Sequence, residues 1–138
     1  MDKPAHMLDW QPADAGMAAL CLARALGSGD DAALLTHMTQ QQSHIDDVAV
    51  RLQLILPLVS DMTAAAEGLD AVLELIATAA TGDAAAAIYG LTADYIALYG
   101  AVTAEDMRLL ARLAEALGLD RLTRAALDEA AQARAVRL

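Results

Sequence analysis

Phenylalanine is absent from this chain of 138 residues, which carries one tryptophan, three tyrosines, three prolines and a single cysteine. Each scarcity excludes something. One cysteine closes no intramolecular disulfide, and Cys21, in AALCLARAL with no His or Lys near it in sequence, reads as a small buried hydrophobe rather than a reactive thiol. The aromatic and β-branched residues that strands favour are thin on the ground, which argues against a sheet. Basic residues number nine against nineteen acids, a formal net charge of −10. Such a surface repels phosphate backbones, so a nucleic-acid partner is not expected.

Long apolar runs are missing too. The stretch 71–104 is weakly charged, yet Glu74, Asp83, Asp94 and several glycines interrupt it. A transmembrane helix needs about 20 predominantly apolar residues, so membrane insertion is not expected. The opening MDKPAHMLDW has an acid at its second residue and no apolar centre, unlike a secretory signal, which places the expectation in the cytoplasm.

What the chain does have is alanine and leucine. Thirty-four Ala and 23 Leu make up about four residues in ten, and both are strong helix formers. The expected class is all-α: one compact bundle of six to seven helices, with residues 1–12 as an arm and Trp10 anchoring it.

Punctuation sets the expected boundaries. Helix one covers 13–26 and stops at Gly27; Ser28 with Asp31 opens helix two, which runs to about Gln42. Ser43 with Asp46 opens helix three, which Pro57 should kink or end near Ile55. DMTAAAEG at 61–68 reads as a short helical turn. Helix four takes 69–80 with Leu69, Val72, Leu73 and Ile76 on one face, and Asp83 caps helix five at 84–98, burying Ile88, Leu91, Tyr95 and Leu98. Gly100 ends that helix as a left-handed residue. Thr103 caps helix six, carrying Met107, Leu110, Leu113 and Leu117. Gly118 stops it, and helix seven turns Leu122, Ala126 and Ala130 inward. A faint echo links ARALGSGDDAALL with IALYGAVTAEDMRLL: helix, glycine, acidic first turn, Leu-Leu pair.

Charge is uneven. Residues 1–107 hold fifteen acids and three bases, whereas 108–138 hold four acids and six bases. Arg121, Arg124, Arg134 and Arg137 suit the end of a final helix, or pair with the acidic body or an acidic neighbour.

The sharpest chemical signal is the acidic turn 100–106. Glu105 and Asp106, with Asp94 about one and a half helical turns upstream, form a candidate divalent-metal site, since hard cations take several converging oxygens. The competing reading is simpler and preferred. Acids in a first helical turn stabilise its amide end, and Thr103 with Asp106 makes a capping pair. THMTQQQSHIDD offers a second constellation, in which His37 and His44 with Asp46 and Asp47 would suit zinc or iron. Surface or lightly buried histidines account for it more simply. Ser28, Ser43 and Ser60 sit at expected helix ends, and neither a nucleophile elbow nor a phosphate-cradling glycine loop occurs. Tyr95 and Tyr99 share a helix face, which suits packing or the wall of a small ligand pocket.

Residues 69–128, LDAVLELIATAATGDAAAAIYGLTADYIALYGAVTAEDMRLLARLAEALGLDRLTRAAL, resemble the tellurite-resistance TerB-like family. The carried positions are Gly100, Glu105, Asp106 and ALGLD at 116–120. The resemblance implies two related helical halves, a non-enzymatic binding module linked to tellurite or stress responses, and metal binding at the acidic turn. Where the family usually has Asp before the glycine, this chain has Tyr99, and its first-half counterpart is Leu26. The expected partners are accordingly a divalent ion, a protein, or a second copy of the chain meeting along the Ala-rich helix five. The alternative class is a metal-dependent helical enzyme using His37 and His44.

Overall fold

Glycine- and cap-punctuated Ala/Leu segments become seven helices in the computed structural model, which describes residues 10–43, 45–100 and 102–136. They are α1 (Pro12–Ala25), α2 (Asp31–Gln41), α3 (Val48–Thr63), α4 (Gly68–Ala79), α5 (Ala84–Tyr99), α6 (Ala104–Ala116) and α7 (Arg121–Ala135). No strand occurs among the described residues, and no helix there is long and apolar enough to cross a membrane.

α1 is the axis. It is buried without a break from Ala15 to Ala23, and α2, α3, α4, α5 and α6 all pack on it. A helix apolar on every side has to be surrounded. Its small residues permit close approach: a Cβ on Gly16 would meet Leu91 at 3.2 Å. Cys21 lies inside this column, and burial pushes its thiol up to about 12. Trp10 packs half-buried against the same core, as expected, while residues 1–9 of the arm lie outside the described residues.

α5 occupies the other side of α1, and α7 covers α5 in turn. Two polar ties fix α7 there. Tyr89 donates to Asp128 at 2.6 Å while Arg124 donates to the same hydroxyl at 3.3 Å, and Arg134 reaches Asp94 at 2.8 and 3.0 Å. Arg134 thus serves the acidic body of the same chain and Arg124 the Tyr89 hydroxyl, while Arg137 lies outside the described residues. α5 is buried through Ile88–Ala93 and again at Tyr95 and Ile96, while Ala84–Ala86 at its start are half-buried and Ala87 is exposed.

Several boundaries differ from expectation for identifiable reasons. Pro57 does not end α3, which continues to Thr63. Pro57 and Gln53 are both exposed, so the carbonyl left without its i+4 donor faces water. Asp47 in a left-handed conformation (φ 56°), not Ser43, precedes α3. The 61–68 stretch divides between the end of α3, a tight turn at 64–67 and the start of α4. A Cβ on Gly68 would fall on the Met62 carbonyl, which explains the glycine. In α7 the expected face is turned outward: Leu122 is 84% exposed, whereas Ala131 is buried and Leu127 packs against the core. Leu98 and Met107 also point outward, and Leu109 takes the inward place in α6.

Candidate functional site at two paired helical corners

The α1–α2 and α5–α6 corners, the two halves of the sequence echo, lie against each other. Ser28 Oγ donates to Asp106 Oδ1 at 2.7 Å across 78 residues of sequence. Both side chains are buried, each 1% exposed. Above this bond Tyr95 donates its hydroxyl to the Ser28 carbonyl at 2.8 Å.

Local sequence places each group. Gly27 and Gly29, at φ 110° and 72°, turn the chain sharply on either side of Ser28 and point its hydroxyl inward. The expected cap role passes to Asp30, which accepts from the Ala33 amide at 2.9 Å. Next to it Arg24 Nε stands 2.8 Å from Asp31 Oδ1, opposite charges in contact without a hydrogen bond's alignment.

On the second corner Thr103 and Asp106 form the expected capping box: Asp106 N–H donates to Thr103 Oγ1 at 3.2 Å, and Thr103 N–H donates to Asp106 Oδ2 at 3.0 Å. Asp106 therefore both caps α6 and accepts from the other corner. Gly100 has φ −92°, so it is not the left-handed residue expected. Its glycine is required by space: a Cβ there would come within 2.7 Å of both the Ile96 carbonyl oxygen and Ser28 Oγ. The left-handed residue is Val102 at φ 50°, where a branched side chain is strained.

The three residues proposed for a metal have separate surroundings. Asp106 is buried in the corner, Glu105 is exposed on α6, and Asp94 is held by Arg134. Among the described residues no group of three or more His, Cys, Asp or Glu side chains converges as metal ligands would. Asp46 and Asp47 are exposed, His44 lies outside the described residues, and His37 is fully buried rather than at the surface.

His37 sits beside the corners. Its Nε2–H donates to the Leu91 carbonyl at 3.0 Å, and its ring packs edge-on against Tyr95 and Tyr99 with centroids 5.5 and 6.0 Å away. Tyr95 and Tyr99 are 5.1 Å apart, sharing a face as their spacing required. The hydroxyls of Tyr89 and Tyr95 go to protein acceptors rather than to solvent. Burial pushes Tyr95 up to about 12, and burial followed by the bond to Asp128 does the same for Tyr89. Burial lowers the pKa of His37, opposed by its bond to Leu91 and by the Asp94 charge.

An apolar recess of about 170 Å³ opens toward the other end of α5, lined by Gly16, Met38, Ile88 and Leu91. Sequence reasoning gave no sign of it, because it joins the start of α1, the end of α2 and the start of α5. Ser28 was missed as well, since Ser-Gly-Asp-Asp reads locally as a cap and only the fold brings Asp106 to it.

Comparison with protein-family profiles, curated proteins and solved structures finds no match to this chain.

Proposed function

We propose that this protein acts by binding, as a non-enzymatic helical module of TerB-like type, and that the paired corners form its binding end. The supporting observation is the Ser28–Asp106 bond with the side chains that surround it. The buried polar groups of the corners are spent on holding the two turns together. Four large apolar side chains stay at least one-third exposed within two residues of them: Leu26, Tyr99, Val102 and Met107. Consecutive Cα atoms are about 3.8 Å apart, so chain connectivity alone keeps these four at one end of the molecule. Asp30, Asp31 and Glu105 are exposed around them.

An end that presents exposed apolar and acidic side chains together suits a basic, amphipathic segment of a protein partner, since opposite charge guides encounter and apolar contact supplies affinity. The test is an NMR titration of the full chain with a Leu/Arg amphipathic peptide. Shifts gathered at 26–31 and 99–107 support the reading. Shifts spread over the surface, or lost with modest salt, contradict it.

A divalent cation is the second reading, and it rests on one observation. The two hydrogen bonds that Asp106 accepts come from neutral donors, a hydroxyl and an amide, so a cation would offset its buried charge. Glu105 would then join Asp106, with Asp94 breaking from Arg134 to do so. Thermal unfolding after chelation, with calcium, manganese or zinc added back, decides it. A ligand of the folded state raises the midpoint, and a midpoint unchanged at millimolar metal removes this reading. Tellurite or stress association follows only from the family resemblance, and growth of a deletion strain on tellurite tests it.

A further inference from the structure

α2 is held to the bundle by few side chains. Of its eleven residues only Leu34, His37 and Met38 are buried. One of the three is therefore titratable. Its Nε2–H is committed to the Leu91 carbonyl, which fixes the neutral tautomer. Nδ1 is shielded from solvent and has no hydrogen-bond partner among the described residues. A proton added there would create a buried N–H donor, and a charge, between the rings of Tyr95 and Tyr99.

We infer that His37 is an acid-sensitive latch: protonation at Nδ1 releases α2 from α5 and uncovers Tyr95, beside the already exposed Tyr99 and the paired corners. Burying an ionised group without a partner is costly, and a short helix held by three buried side chains yields readily.

The surrounding charges do not rescue the imidazolium. From α5 come Asp94, Tyr95 and Tyr99, and Asp94 alone among the charged groups favours the protonated ring. Arg134 of α7 already holds that carboxylate. α1 contributes Arg24, in contact with Asp31 of α2, and the protonated Cys21. Asp30, ahead of α2, caps that helix through Ala33. α3 brings Arg51, which Asp14 holds, with Asp47 and Asp61 toward its ends.

The direction follows from the lowered pKa of the folded ring. Once α2 is open, the imidazole takes up its proton near the usual value of about 6.5. Docking is at full strength above that pH and is lost progressively as the pH falls toward the pKa of the buried ring.

Hydrogen exchange of the full chain between pH 7.5 and 5, corrected for the intrinsic pH dependence, provides the test. Protection of amides 31–41 should fall about 10- to 30-fold, the limit set by an imidazole titrating near 6.5 when open. Core amides of α1 should keep their protection. His37→Gln, which retains a donor toward Leu91 but does not titrate, should abolish the pH response. Flat protection in the unaltered chain, or an unchanged response in His37→Gln, overturns the inference. Should that variant not fold, the His6→Gln/His44→Gln double variant leaves one imidazole, whose NMR titration must track the opening of α2. Opening that persists while His37 stays neutral, or that vanishes in the double variant, overturns it equally.

Discussion

Ser28 and Asp106, 78 positions apart, meet through a 2.7 Å hydrogen bond inside the protein. The bond joins two helical corners that share a sequence pattern, and it ties the first turn of α6 to the turn between α1 and α2. A charged acceptor in a dry setting makes such a bond worth more than a neutral one, about 1.5–3 kcal/mol by the usual measure. Losing one partner is costlier than the bond itself suggests, because the carboxylate would then remain buried with less compensation.

Gly100→Ala tests whether the corner is limited by space. The backbone there (φ −92°) suits any residue, so no conformational penalty is due. A Cβ would nevertheless crowd the Ile96 carbonyl and Ser28 Oγ. Urea denaturation should show a loss of about 1–3 kcal/mol, the range for overpacking. A neutral or stabilising result would mean that the corner has room to give.

Pro57→Ala should act in the opposite direction. Proline within a helix interior costs about 3 kcal/mol relative to alanine, through the lost hydrogen bond and ring crowding. Pro57 lies on the exposed side of an unbroken α3, so the substitution removes little packing. Part of the gain is offset by the freer unfolded chain. A stabilisation of about 1–2 kcal/mol in the same assay is expected. A destabilisation would show that Pro57 shapes a contact of its own.

Alkaline unfolding should follow the phenols of Tyr89 and Tyr95. Both are raised to about 12, so the folded state holds their protons after the unfolded state has released them near 10. Their contribution is complete below pH 10 and is lost as the pH rises from there through about 12. Absorbance at 295 nm should show two phenols ionising late and together with the loss of helix. Ionisation of Tyr89 and Tyr95 near 10 in a chain still helical would contradict the buried hydrogen bonds.

The helical class and most helix positions were legible in the sequence, because Ala/Leu periodicity and glycine stops are local signals. Thr103 with Asp106 was legible for the same reason: a capping box spans four residues and needs nothing distant. What escaped was whatever depends on a partner far along the chain. Ser28 resembles a cap until Asp106 is brought beside it. His37 looks like a surface residue of a polar segment, THMTQQQ, until α5 supplies the Leu91 carbonyl and two tyrosine rings. The α7 face was misread because Leu122 was given the inward place, whereas the helix docks through Leu127 and Ala131 and through Tyr89–Asp128 and Asp94–Arg134. The candidate metal residues were chosen by proximity in sequence, and the fold gives Asp94 to an arginine on another helix.

The account turns on the two corners being one energetic unit, and a double-mutant cycle over Ser28→Ala and Asp106→Ala measures that directly. Denaturation of the four proteins should give a coupling energy of about 1–3 kcal/mol, the double variant being little less stable than Asp106→Ala alone. Coupling within a few tenths of a kcal/mol of zero would contradict the account, leaving Asp106 as a helix cap and nothing more.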